Sequence, residues 1–123
     1  MILSLDYSAD VPIYQQIRNQ IVLGIASGDL APGAKLPTIR ALATELGINM
    51  MTVSKAYQTL KSEGYIHSDR RNGAWVALGG TSAAAMHKLE ESLRLIVAEA
   101  RLNGVEEETI IELCHQFYHE GEE

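Results

Sequence analysis

The sequence predicts a mainly α-helical protein carrying one small β-hairpin, and three observations predict it. Apolar residues recur at helical spacing in three successive segments of the first 64 residues. The second and third of these segments are separated only by Gly47-Ile48-Asn49, the length of a helix-turn-helix junction. Further on, Asn72-Gly73 lies between two strand-like segments, a strong hairpin signal because both turn positions favour positive φ.

Taken in order, Ile2 to Asp6 alternates apolar and polar residues and reads as a short extended arm. Asp10-Val11-Pro12 opens the first helix, with Pro12 in the first turn, where its missing N–H does no harm. Ile13, Ile17, Ile21 and Ile25 form a narrow core-facing stripe, and Ser27-Gly28-Asp29 ends the helix. Leu30-Ala31-Pro32-Gly33 is a tight turn and Lys35-Leu36-Pro37 is extended. Thr38 suits the N-cap of a second helix whose Ile39, Leu42, Ala43 and Leu46 share one face, and Gly47 closes it. Asn49 precedes the third helix, where its side-chain oxygen is placed to accept from the amide of Met51 or Thr52. Val53, Ala56, Tyr57 and Leu60 then line one side, and Gly64 stops the helix near Glu63.

The other side of that third helix carries Met50, Met51, Ser54, Lys55 and Gln58, which have no structural task. We expect this face to be presented to the major groove of DNA. The hairpin strands are Tyr65 to Arg71 and Ala74 to Leu78, with Arg70 and Arg71 beside the tip and Trp75 expected in the core. Three helices and a basic hairpin make a winged helix-turn-helix, so residues 1–78 are read as a winged-helix DNA-binding domain.

Gly79-Gly80-Thr81-Ser82 reads as a hinge. From Ser82 to Leu102, Met86, Leu89, Leu93, Ile96, Val97 and Ala100 form a stripe of near-heptad spacing. Asn103-Gly104 breaks the helix, and Glu106-Glu107-Glu108 starts another, where carboxylates suit the helix dipole. Ile110, Leu113, Cys114, Phe117 and Tyr118 continue the apolar side. Two such helices cannot bury these faces alone. Residues 79–123 are therefore expected to be a hinge and a C-terminal helical hairpin for dimerisation, packed on a second copy of the chain.

The 123-residue chain is 46% hydrophobic, enough for one modest domain with a helical appendage. It contains no membrane-spanning run, and its start lacks the basic and apolar regions of a signal peptide, so a cytoplasmic protein is expected. One cysteine excludes an intramolecular disulfide framework. A net charge of −6 argues against nucleic acid until its distribution is read. Residues 1–80 hold seven Lys/Arg and six Asp/Glu, a net +1, whereas residues 81–123 hold three and ten, a net −7. Screening limits the reach of surface charge to about 8–10 Å, so local clustering outweighs the total.

The stretches Val11-Pro12-Ile13-Tyr14-Gln15-Gln16-Ile17, Gly28 to Ala43, Leu46-Gly47, Asn49 with Thr52-Val53, Lys55-Ala56-Tyr57, Leu60, Glu63-Gly64 and Gly73-Ala74-Trp75-Val76 together resemble the GntR family of bacterial transcription regulators. Within it the chain resembles the small YtrA-like branch, whose short two-helix dimerisation segment the acidic tail is similar to. The resemblance spans residues 2–78 and implies three DNA contacts. Arg40, early in the second helix, would meet phosphate or a base edge. Asn49, Met50, Met51 and Thr52 would enter the major groove. Arg71, Asn72 and Gly73 at the wing tip would reach toward the neighbouring minor groove. Relatives often carry an Arg where Met50 stands, so apolar contact with thymine methyls is expected here in place of a guanine fork.

The residue chemistry agrees. DNA affinity comes mainly from phosphate neutralisation. Arg18, Lys35, Arg40, Lys55, Lys61, Arg70 and Arg71 are the available cations, and Thr38 and Thr52 add hydroxyls. Helix N-termini at Thr38 and Asn49 point amides at phosphate. Each has a blander reading: Met50 or Met51 packed on the domain's own surface, Arg40 in a helix-surface ion pair, the lysines simply solvated. Asp6 and Asp10 read as cap or surface residues. The expected partners are double-stranded DNA and a second copy of the chain. A near-palindromic operator follows from two-fold symmetry, with repression as the expected outcome. No residue set identifies a small-molecule effector.

A winged-helix protein-interaction module working through its acidic tail is the competing class. No enzyme is expected, because the chain shows no nucleophile–base pair and no Gly-rich phosphate loop. Cys114, His115 and His119, with His87, have spacing that could hold a metal. Cys114 lies on the apolar stripe, where a thiol serves as a small hydrophobe, so neither metal nor cofactor is expected.

Overall fold

The computed structural model describes residues 3–79 and 83–120. Seven elements follow in order: α1 (Ile13–Ser27), α2 (Ile39–Leu46), α3 (Met50–Ser62), β1 (Ile66–Asp69), β2 (Gly73–Val76), α4 (Ala83–Leu102) and α5 (Glu107–Tyr118). The observed class is the one the sequence predicts, a helical protein with one antiparallel hairpin. The chain divides into two compact units, Met1–Gly79 and Gly80–Glu123. Of the expected hinge, Gly80, Thr81 and Ser82 lie outside the described residues, as does Ile2 of the arm.

In the first unit α3 is the central element, packing against α1, α2 and β1. Its apolar side buries Val53, Ala56, Tyr57 and Leu60 against Ile17 and Ile21 of α1, Leu42 and Ala43 of α2, Leu36, and Ile66, Ala74 and Val76 of the hairpin. Ile13 and Ile25 pack at the edge of this core. Local signals set the helix ends. Gly47 closes α2 at φ 69°, with the Ile48 amide donating 3.0 Å to the Ala43 carbonyl. Gly64 turns the chain after α3 at φ 86°, and the Tyr65 amide donates 3.0 Å to the Leu60 carbonyl. A tie between distant residues adds to this: Arg18 Nε donates to Glu63 Oε1 at 2.9 Å and Arg18 Nη2 to Oε2 at 3.0 Å, fastening α1 to the end of α3.

The N-terminal arm runs along α1 and is held by two glutamine side chains rather than by a strand. Gln16 accepts from the Asp6 amide and donates to the Asp6 carbonyl, both at 2.8 Å; Gln20 likewise accepts from and donates to Ser4. Asp6, read as a cap or surface residue, accepts from the Ser8 amide and hydroxyl in a local turn. Pro12 takes the cap position just before α1 rather than a place within its first turn.

Two readings of the wing are corrected. First, Asn72-Gly73 is not a two-residue turn with positive φ at both positions. Gly73 has φ 75°, but among the described residues no non-glycine residue has positive φ. Asp69 pairs with Gly73, leaving Arg70, Arg71 and Asn72 as the loop. The physical reason is Asp69, whose carboxylate accepts from the Asn72 backbone amide and, at 3.0 Å, from its side-chain amide. That capture holds the loop in an ordinary right-handed turn. Second, Trp75 is half-buried and stands outside the core. Side chains alternate along a strand, and Ala74 and Val76 already face inward across the pairing with Ser68 and Ile66. Trp75 lies instead beside His67, ring centroids 5.9 Å apart. The segment before α2 extends this sheet: the Leu36 amide donates to the Ala74 carbonyl and the Val76 amide to the Ala34 carbonyl, each at 2.9 Å.

In the second unit, α4 and α5 are joined through Gly104 at φ 74°, with the Val105 amide donating 2.9 Å to the Ala100 carbonyl. Neither helix has a buried residue among those described. Ala100 and Ile110 are half-buried; Met86, Leu89, Leu93, Ile96, Val97, Leu113 and Phe117 are exposed. Cys114 is exposed as well, not enclosed in an apolar seam within one chain, because α5 covers too little of α4 to enclose it.

Candidate nucleic-acid interface

The interface is built from the two helix starts and the wing tip. Thr38 caps α2 by accepting 3.0 Å from the Ala41 amide, and Asn49 caps α3 by accepting 2.7 Å from the Met51 amide. Both side chains are thus fixed at exposed positions. The angle between the start of α2 and the middle of α3 is pinned by the Tyr57 hydroxyl, which donates 2.7 Å to the Pro37 carbonyl. Burial pushes the Tyr57 phenol up to about 12, so it stays a donor throughout the physiological range.

The outward face of α3 is a ridge. Met51 is 78% exposed and Met50 45%, while Thr52 and Ser54 are half-buried beside them. On one flank a recess is lined by Thr38, Ile39 of α2, Ser54, Gln58 and Lys61 of α3, and Asp69, Arg70 and Gly73 of the wing. On the other flank a second recess is lined by Pro12, Ile13 and Tyr14 together with Met51, Thr52, Ser54 and Lys55. Lys35, Arg40, Asn49, Met50, Arg71 and Asn72 line neither recess and are exposed around them. Among the described residues, none of Lys35, Arg40, Lys55, Arg70 and Arg71 has an acidic partner, so the ion-pair reading of Arg40 finds no acid.

Two of the seven cations are otherwise engaged. Arg18 is committed to Glu63 and to the Tyr65 ring, 5.6 Å from its centroid. Lys61 donates 3.1 Å to the Ser68 carbonyl, binding the end of α3 to β1. Lys55 is not simply solvated: its Nζ stands 4.1 Å from the centroid of Tyr14. Tyr14 is the residue that sequence reasoning left out of the site, because it lies on another helix. Gln58, already on the expected face of α3, sits four residues after Ser54 and donates to its hydroxyl at 3.3 Å.

At the wing tip the Asp69 carboxyl is held below its ordinary value of 3.8, first by the Asn72 backbone amide and then by its side-chain amide. A lowered carboxyl supports the folded turn fully above its unfolded pKa, and that support is lost as pH falls through the folded value. The wing tip is therefore expected to hold its geometry at neutral pH and to loosen only below about pH 3.8. Amide exchange at Asn72, followed by NMR across an acid titration, checks this; protection lost near pH 6 would contradict it.

Among the described residues, no three His, Cys, Asp or Glu side chains gather to hold a metal ion, and no helix is long and apolar enough to cross a membrane. His115 and His119 lie close, with ring centroids 4.5 Å apart.

Comparison with known proteins follows the same lines. Residues 13–76 match the family described as bacterial regulatory proteins, gntR family. The HTH-type transcriptional repressor YtrA of Bacillus subtilis is 34% identical over 113 residues, covering 89% of this chain and 87% of that protein. Among solved structures, a transcriptional antiterminator from Listeria monocytogenes EGD-e is 28% identical, with a TM-score of 0.86 over 95% of this chain and 90% of that one. YtrA from Sulfolobus acidocaldarius, a GntR-family transcription factor, is 39% identical with a TM-score of 0.69, over 83% of this chain and 99% of that one. The DNA-binding domain of AraR in complex with operator ORX1 is 29% identical with a TM-score of 0.56, over 61% of this chain and 96% of that one.

Proposed function

The chain belongs to the gntR family of bacterial regulatory proteins, DNA-binding transcription regulators, and from that premise we propose that it is a homodimeric repressor of a near-palindromic operator. One observation carries the reading: the exposed ridge of α3 lies between two recesses and is surrounded by cations that have no acidic partner among the described residues. A ridge of helix diameter fits the major groove, and the flanking recesses suit the two phosphate strands that border it. In this docking Asn49, Met50, Met51, Thr52 and Ser54 face the base edges. Thr38, Arg40, Lys35 and Lys55 serve phosphates, and Arg70, Arg71, Asn72 and Gly73 follow the wing toward the minor groove. Residues 1–78 act as the DNA-binding domain and 79–123 as hinge and dimerisation segment.

The apolar side of the second unit supports the dimer. Leu89, Leu93, Ile96 and Phe117 stand exposed, and a second copy would bury them at about 25 cal/mol per Å² removed from water. Repression follows by occupying a promoter, in keeping with the repressor named among the relatives.

Binding-site selection from random duplexes identifies the operator, and Arg40→Ala then tests the docking. A symmetric dimer loses one phosphate contact per protomer. The slope of log affinity against log salt is expected to fall by about 0.9 for each, roughly two units in all, with weaker binding at every sequence. A specific footprint that survives Arg40→Ala unchanged at all salt concentrations overturns this docking.

A further inference from the structure

We propose that Tyr14 is a positioning residue for DNA binding, holding the Lys55 ammonium against a backbone phosphate on the side of α3 away from the wing. The inference rests on the DNA-binding reading above. Lys55 is exposed on α3, where a lysine side chain ordinarily samples many rotamers. Here its Nζ stands 4.1 Å from the centroid of Tyr14, over the face of the ring. A cation over an aromatic face is attracted by the ring quadrupole and loses little hydration on its outer side. Among the described residues no hydrogen-bond acceptor takes the Nζ protons. The ammonium is therefore placed but not consumed.

Its place matters. Tyr14 and Lys55 line the same recess as Pro12, Ile13, Met51 and Thr52, and no Asp or Glu lines that recess. The recess on the opposite flank holds Arg70 and Lys61. Each flank of the ridge thus carries a cation, one supplied by the wing side and one aimed by α1. A major groove is bordered by two phosphate strands, and a helix lying in it meets one strand on each side. The Tyr14–Lys55 pair gives the strand remote from the wing a fixed positive charge, and it ties α1 to recognition although α1 presents no residue to the bases.

The test is a double-mutant cycle in the full-length chain, read by fluorescence anisotropy on the duplex enriched by binding-site selection. Lys55→Met should weaken binding and lower the salt slope by about 0.9 per protomer. Tyr14→Leu should weaken binding by about two- to five-fold at low salt, whereas Tyr14→Phe, which keeps the ring face, should bind as the wild type does. In the Lys55→Met background, Tyr14→Leu should add nothing. A merely structural Tyr14 would weaken binding equally in both backgrounds and leave the salt slope alone, and that result overturns the proposal. So does a Tyr14→Leu variant with wild-type affinity and slope. If the wild-type chain enriches and binds no duplex at low salt, the DNA-binding reading itself fails, a result distinct from either of these.

Discussion

Leu93→Asp is expected to leave the winged domain folded while reducing operator affinity by roughly 10²–10⁴-fold. Leu93 is 46% exposed on α4 and belongs to a stripe in which no residue is buried among those described. In the proposed dimer that stripe meets its copy, and a carboxylate there faces either desolvation or separation of the chains. Once the chains separate, each half-site is bound alone, and the effective concentration that the second domain enjoyed is lost. The winged unit has its own core, built entirely from its own residues. Sedimentation equilibrium should therefore show a monomer whose winged-domain NMR spectrum is preserved. A dimer that persists at micromolar concentration, or an unchanged affinity, would count against the assignment of this face.

Leu60→Ala is expected to have the largest effect on stability. Leu60 is fully buried on α3, the helix that α1, α2 and β1 all pack against. Removing its side chain forfeits transfer energy and leaves a cavity lined by three elements that cannot all close in, about 2–5 kcal/mol. For a domain of this size that lowers the melting temperature by roughly 10–30 °C. Ser62→Ala, two residues on and exposed, should change stability by no more than about 0.5 kcal/mol. Thermal unfolding by circular dichroism compares the two, and similar midpoints would show that α3 is not the core element described.

Much of the fold was legible because its signals are local. The Thr38 and Asn49 caps, the stops at Gly47 and Gly64, and the period of Val53, Ala56, Tyr57 and Leu60 each lie within one helical turn or two. They place the exposed ridge of α3 directly. What the sequence hid was settled by partners at a distance. Arg18 looked like a free cation because Glu63 lies 45 residues away. Lys55 looked solvated because Tyr14 belongs to another helix. At the wing, the dipeptide Asn72-Gly73 suggested one turn, and a carboxylate three residues earlier selected another. Trp75 was expected in the core, yet the alternation of Ala74 and Val76 had already decided its side. For the tail, the apolar stripe was plain from spacing, but only the coordinates show how little α4 and α5 cover each other.

The Asp69 clasp on Asn72 also gives the wing tip a chemical clock. An asparagine followed by glycine loses ammonia most readily, because the glycine nitrogen is unhindered as it attacks the side-chain carbonyl. At this tip the amide that would be lost is the one donating 3.0 Å to Asp69. Its replacement by a carboxylate would set two negative groups against each other and add charge of the wrong sign where a phosphate strand is proposed to pass. An ageing preparation should therefore lose its wing before it loses its fold, with tryptic mapping of the 72–73 bond tracking the decline in DNA affinity while the melting temperature stays constant.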